Sequence, residues 1–419
     1  MSLRTANERE KTLFSAVAAY PAPEKLNRLR AANQVTMRVT MDNGRIKILH
    51  VLISLEMGGM ENGVVNVARR LSPEEFDIHV CCLERSGPFA ENLPRPDRVQ
   101  VLNKPQGFSW KAVRDLHRLI RRLKPDVIHS HNLGPLMYAS LASGMGGWCP
   151  VLHGEHHLPP PQDFDRKRII QRSIFYHGCR KVHTVSESLR QELIARGLPA
   201  EKLVTLRNGV DSERFQPGDR TAARQKIGGL PADALVLGLV GRFMPWKGHA
   251  RLIEAFETIA DSRPDSHLLF VGAGGTDEEA VRARARASRL ASRIHFTGFQ
   301  RDVTPFYQAM DVMIFPSTIE GLANAVLEAM ACGVPTLAHP ACGTAEIISQ
   351  GHDGWLAEID TVAGLQKQLA ALPTDRETFQ AMGRMGREKV VRQFSLAHMV
   401  ENYRRLYRET AGAIGSREN

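Results

Sequence analysis

Twice along its length the chain runs through the same alternation: a short apolar run, a polar turn, and a stretch of helical periodicity. The first series opens at "RIKILHVLISL" and continues through "FDIHVCCLE", "VQVLNK", "PDVIHSH", "CPVLHGEHH" and "KVHTVSES". The second opens at "LVLGLVGRF" and passes through "SHLLFVGAG", "RIHFTGF", "DVMIFPS", "VPTLAH" and "GWLAEI". Runs this short and this uniformly apolar suit strands buried on both faces, and the helical stretches between them are the crossovers that parallel neighbours need. The pattern predicts an α/β protein of two doubly wound, Rossmann-like parallel sheets. The segment "LRNGVDSERFQPGD", punctuated by Gly209 and Pro217, reads as the link between them. Open sheets bind ligands beyond the carboxyl ends of their strands, so the expected site faces a central cleft between the domains.

A chain of 419 residues is too long for one ordinary core. The expected division is an N-terminal extension over 1–44, a first domain over 45–210, a second over 211–395 and a closing helix over 396–419. The extension has little periodicity and excess positive charge, so it is expected to be partly disordered; Met37 and Met41 leave the true start open. The closing helix gathers Met399, Tyr403, Leu406 and Tyr407 near one side, a face suited to packing back across the first domain. No apolar run approaches the ~20 residues a membrane-spanning helix needs, and the first residues lack the apolar core of a secretory signal. The expected compartment is the cytoplasm. Cys81, Cys82, Cys149, Cys179, Cys332 and Cys342 form no C-x-x-C pair, so buried thiols are expected rather than disulfides or zinc. A net charge of +10 attracts anionic partners. Nucleic acid is not expected among them, because no recognition-helix or RNA-binding signature accompanies the charge. An anionic membrane face fits as well, although clusters such as "RLIRRLKPD" also read as solvated helix faces.

Chemistry concentrates in "STIEGLANAVLEAMACGVPTLA", Ser317 to Ala338, where Glu320 and Glu328 stand eight residues apart. Were both helical, they would lie ~12 Å apart along the axis. The plainer reading is a core helix buried through Leu322, Val326, Leu327 and Met330. At the start of the second series, Arg242 and Lys247 follow a strand and meet a helix start, where two cations and a helix dipole suit a diphosphate. Gly58 and Gly59 follow the first strand, where small residues admit a phosphate to the backbone or simply make a tight turn. His129, His131, His153, His156 and His157 crowd two strand ends beside Glu155. Zinc is one reading of that density, but no helical H-x-x-x-H accompanies it and no metal is expected. Nor does a D-x-D in a plausible setting supply one. Gly272, Gly274 and Gly275 form an incomplete glycine run, weak as a dinucleotide fingerprint.

On these motifs the chain resembles glycosyltransferase family 4, retaining enzymes of the GT-B fold, from about Ile46 to about Tyr407. The E-x7-E element carries the likeness furthest. The resemblance implies that Glu320 binds sugar hydroxyls and Glu328 the ribose, with Gly321, Leu322, Ala323 and Asn324 between them. Ala323 departs from the glycine many members have there, and its methyl group would narrow the hexose pocket. Arg242 and Lys247 would hold the diphosphate, with the Gly58–Gly59 backbone opposite. Gly272, Asp302 and Val303 would lie near the base. His156 aligns best with the family histidine that orients the donor sugar, with His153 as rival; His131 and His153 would lie on the acceptor side. The implied reaction is a metal-independent hexosyl transfer, with front-face attack in which the leaving phosphate takes the acceptor proton. It needs no cofactor beyond a nucleoside diphosphate sugar, a UDP-sugar before a GDP-sugar. The acceptor would be a glycan or a lipid-linked species, at the inner face of the membrane. "GGMENGVVNVARRL" and "HGEH" resemble a branch tied to bacterial exopolysaccharide synthesis. The alternatives are a sugar-nucleotide epimerase or hydrolase of the same fold, an NAD(P)-dependent oxidoreductase, and a non-catalytic binding protein.

Overall fold

The computed structural model describes residues 44–56, 58–144, 149–158, 165–341 and 343–412. The extension expected over 1–44 thus lies, but for Gly44, outside the described residues, as does Cys342. The chain divides into two compact units. The first comprises residues to Val185, Arg190–Leu206 and those from Val400 on, and the second Ser186–Leu189 and Arg207–Met399.

Among the described residues of the first unit, seven strands form one sheet in the order β3-β2-β1-β4-β5-β6-β7. They are β1 (Ile46–Leu52), β2 (Phe76–Cys82), β3 (Val99–Val101), β4 (Val127–His131), β5 (Val151–Glu155), β6 (Lys181–Thr184) and β7 (Leu203–Thr205). Each pairing is parallel. The first six are the runs expected from the sequence. The seventh is new: three residues without a sustained apolar pattern become a strand because β6 offers them an edge. Helices cover the sheet and begin where the sequence supplies caps. Ser109 accepts from the Ala112 amide at 3.2 Å to open Trp110–Leu123, and Asp165 from Arg168 at 2.7 Å to open Arg166–Gly178. Leu52, Leu55, Val65, Val80 and Cys82 form part of the core beneath them.

The second unit repeats the design with β8 (Leu235–Val240), β9 (Ser266–Val271), β10 (Ile294–Phe296), β11 (Val312–Phe315), β12 (Thr336–Ala338) and β13 (Gly354–Leu356). The order is β10-β9-β8-β11-β12-β13, again parallel throughout. Leu237, Leu239, Phe243, Phe256, Phe270 and Ile314 belong to its core. A buried ion pair ties helix Arg220–Ile227 to the sheet. Arg224 reaches Asp311 at 2.7 Å and the Ala309 and Ala234 carbonyls at 2.9 Å, while Asp311 also accepts from the Val236 amide at 2.8 Å.

In each unit the strand order reverses beside the first strand, between β1 and β4 and again between β8 and β11. Crevices open at such reversals because the connections on either side leave in opposite directions. That geometry, repeated, fixes where the site chemistry is to be sought.

Candidate active site

At the reversal of the second unit, the loops leaving β8 and β11 lie against one another. Gly248, at φ +79°, starts helix His249–Ile259, and a side-chain carbon there would come within 2.8 Å of Pro316. Glycine is therefore required twice over, by the turn and by the close approach. The Thr318 amide donates to the Trp246 carbonyl at 3.0 Å and joins the two loops. Lys247 consequently faces Glu320, with Nζ 2.5 Å from Oε1, and the Ser317 hydroxyl donates to the same oxygen at 2.7 Å. The ammonium also lies 4.9 Å from the Phe315 ring centroid, an electrostatically favourable place for a cation. Arg242 is exposed, and among the described residues its guanidinium has no hydrogen-bond partner. It is a cation available to an anion.

Helix Asn324–Ala331 begins after Glu320, so only Glu328 is helical and the axial spacing of one continuous helix does not apply. Ala323 occupies the cap position without a side-chain hydrogen bond, which leaves the first amides of the helix uncapped by it. Gly321, Leu322 and Ala323 are buried, and Asn324 accepts from the Asn208 side chain at 2.9 Å. Glu328 keeps some exposure, and its Oε2 accepts from the Tyr307 hydroxyl at 2.8 Å. Burial pushes its carboxyl up to about 7, against the opposing influence of that bond and of Arg214. Gly272, at φ +138°, lets the loops after β8 and β9 stack: an added carbon would meet the Gly241 carbonyl oxygen at 2.3 Å. Asp302 is exposed and accepts from Arg214 and from the Thr304 amide, each at 3.2 Å. Burial would raise its carboxyl, but these bonds hold it below the usual range. Val303 caps helix Thr304–Ala309.

In the first unit Gly58 caps helix Gly59–Arg70, directly after the reversal-side strand β1. A carbon added at Gly58 would come 2.2 Å from the Glu61 carboxylate, so an anion of the chain itself stands by this helix start. The histidines divide by strand parity. His129 and His131 point to one face of β4, where they join His50 from β1, His183 from β6 and Tyr403 and Tyr407 from helix Leu396–Thr410. Gly154 makes room here, since a carbon on it would lie 2.5 Å from His183 and 2.8 Å from His156.

A continuous hydrogen-bonded chain results. His156 meets His131 at 2.9 Å, His131 meets His50 at 2.9 Å, and His50 meets Tyr407 at 3.4 Å. Tyr407 meets His129 at 2.8 Å, and His129 meets His183 at 3.0 Å. One proton per neutral imidazole suffices to satisfy it head to tail. Burial suppresses protonation throughout, taking His50 and His156 down to about 3. His50, His129 and His131 do bring ligand atoms within 4.8 Å of one another, as a metal would require. Both ring nitrogens of each already have protein partners, however, so the set is complete as neutral hydrogen-bonded rings.

His153 points to the opposite face, fully buried, bonded to the Ser130 hydroxyl at 3.0 Å and 3.4 Å from Glu155. Burial alone would raise the Glu155 carboxyl, but His153, Arg172 and Tyr176 hold it well below the usual range. Between the two candidates for the sugar-orienting histidine, His156 alone keeps exposure. His131 is 2% exposed and His153 0%, so in this arrangement neither presents a surface for an acceptor to touch. Sequence reasoning did not single out His50, His183, Ser317 or Tyr307. A tyrosine in a short buried helix was a usable signal, because its hydroxyl must find a partner.

The sequence pattern described as "Glycosyltransferase Family 4" matches residues 57–214, and that described as "Glycosyl transferases group 1" matches residues 220–389. The Escherichia coli UDP-Gal:alpha-D-GlcNAc-diphosphoundecaprenol alpha-1,3-galactosyltransferase is 26% identical over 381 residues, 87% of this chain and 97% of its own. The D-inositol 3-phosphate glycosyltransferase of Kribbella flavida is 27% identical over 324 residues, 75% of this chain and 72% of its own. Among solved structures, Anabaena HepE in complex with UDP-glucose superposes with a TM-score of 0.77 at 22% identity, covering 88% of this chain and 100% of that one.

Proposed function

The chain belongs to glycosyltransferase family 4 and has the GT-B fold, and from that premise we propose that it is a metal-independent, retaining hexosyltransferase. Its donor is a nucleoside diphosphate sugar, with UDP favoured over GDP, and its acceptor is a glycan or lipid-linked sugar of exopolysaccharide or cell-surface polysaccharide synthesis. The observation that carries the reading is the meeting of Lys247 with Glu320 at 2.5 Å beside exposed Arg242, at the β8/β11 reversal. Cations and a sugar-binding carboxylate at one strand-end crevice are what a glycosyl diphosphate demands.

In this reading Arg242 and Lys247 neutralise the diphosphate as charge grows on it, assisted by the Gly58–Gly59 backbone. Glu320 accepts from sugar hydroxyls, Glu328 from the ribose, and His156 orients the sugar. Gly272, Asp302 and Val303 border the base, while Gly321, Leu322, Ala323 and Asn324 shape the donor pocket. The bond from the anomeric carbon to the phosphate oxygen breaks, and a bond from the same face to the acceptor oxygen forms. The acceptor proton passes to the departing diphosphate. The E. coli relative, whose name specifies UDP-Gal and a diphosphoundecaprenol-linked sugar, favours a UDP donor and a lipid-linked acceptor. Peripheral contact with an anionic membrane draws support from helix Trp110–Leu123, which exposes Trp110, Lys111, Arg114, Arg118, Arg121 and Arg122. Among the described residues, no helix is long and apolar enough to cross a membrane.

The test is product analysis with UDP-hexoses and a lipid-diphosphate sugar acceptor, in chelator. A glycoside with the donor's anomeric configuration is expected. An inverted product would remove the retaining assignment, and free or epimerised sugar without any acceptor requirement would replace transfer by hydrolysis or epimerisation.

A further inference from the structure

Helix Thr304–Ala309 follows directly on Asp302 and Val303, and its Tyr307 is fully buried. The ring is held edge-on by Phe215, with centroids 6.1 Å apart and planes at 77°. A phenol so enclosed has little freedom, and its hydroxyl becomes a fixed point in the unit. That hydroxyl lies 2.8 Å from Glu328 Oε2, across 21 residues of sequence. Among the described residues it is the one hydrogen-bond donor to Glu328.

We propose that Tyr307 is a positioning residue for the nucleotide: it holds one oxygen of the Glu328 carboxylate and leaves the other to accept from the hydroxyls of a ribose. The inference rests on the assignment of Glu328 to the ribose, and adds the group that sets its orientation and charge. A carboxylate with one oxygen pinned has its plane and rotamer fixed, so its second oxygen is presented without further ordering cost. Two other ionisable neighbours bear on Glu328. Arg214 faces it but is engaged by Asp302 at 3.2 Å and the Arg301 carbonyl at 3.3 Å. Cys332 closes the Glu328 helix as a thiol that burial pushes up to about 12, near Arg387. Tyr307 itself stays neutral, its phenol raised well above the usual range first by burial and then by Glu328. The phenol therefore acts as a donor, and a donor to a carboxylate favours the anion that a diol needs as acceptor.

The experiment is calorimetric titration of the whole protein with UDP and with 2′,3′-dideoxy-UDP, from about pH 6 to about pH 9, across the carboxyl's titration range. Wild type, Tyr307→Phe and Glu328→Gln are compared. Tyr307→Phe is expected to weaken UDP about tenfold near neutrality. The pH below which affinity falls should rise by about one unit, and the preference for UDP over the dideoxy analogue should shrink. Tyr307 replaced by 3,5-difluorotyrosine, a stronger donor of the same shape, should shift that pH the opposite way and serves if the phenylalanine variant does not fold. Glu328→Gln weakened while both position-307 variants keep wild-type affinity, pH profile and ribose preference would overturn the inference and leave the ribose assignment standing. Glu328→Gln binding UDP as tightly as wild type, with no preference over the dideoxy analogue, would overturn both.

Discussion

Lys247 has two prospective partners and one ammonium group. It is bonded to Glu320, and a diphosphate would compete for it, releasing the carboxylate to sugar hydroxyls. Lys247→Ala should therefore cut transfer by at least about 10²-fold, the usual cost of removing a donor aimed at developing negative charge. Stability should fall by about 1–3 kcal/mol, because Glu320, only 15% exposed in its side chain, loses its charged partner and keeps the Ser317 donor. Turnover measured beside a thermal melt separates the two effects, and wild-type turnover would take Lys247 out of the diphosphate site. Both residues of this pair were legible as chemistry beside strand ends. Ser317 was not, since serine after a strand carries no pattern of its own.

At the scale of elements, two polar constructions hold helices to sheets. The first is the histidine–tyrosine chain under helix Leu396–Thr410. Burial takes His50 and His156 down to about 3 in the folded protein, against the ordinary 6.5 once unfolded. The unfolded state thus binds more protons between those values, and stability falls as pH drops through about 6.5 toward about 3. Thermal unfolding should accordingly move to lower temperature between about pH 7.5 and about pH 5; a flat profile would contradict the burial of these rings. Tyr407→Phe should cost about 1–3 kcal/mol in chemical denaturation, because His129 Nδ1 then stays buried without its partner. The second construction is Arg224 with Asp311, 1% and 2% exposed in their side chains. Arg224→Met should cost about 1–3 kcal/mol, since Asp311 loses one of two arginine partners but keeps Arg220 at 2.7 Å and the Val236 amide at 2.8 Å. Neither helix announced these ties. The apolar side of the closing helix was visible in Met399, Tyr403, Leu406 and Tyr407, but its histidine partners lie hundreds of residues away.

For the molecule as a whole, nucleotide binding should be visible as stability. UDP in excess at one hundred times its Kd should add ~2.7 kcal/mol, equally with magnesium or with chelator, while NAD adds nothing. The shift should vanish in Glu328→Ala. Stabilisation that requires magnesium would return a metal to the diphosphate site. The chain's local pattern already dictated the two parallel sheets, because residues buried on both faces of a strand must be apolar and crossover helices must intervene. It also placed Arg242, Lys247 and Glu320 at strand ends, where open sheets bind. That His153 and His156 take opposite fates, and that β7 exists at all, was settled by long-range packing. Each of those outcomes depends on register, strand parity or a neighbouring edge, and such relations arise between segments rather than within them.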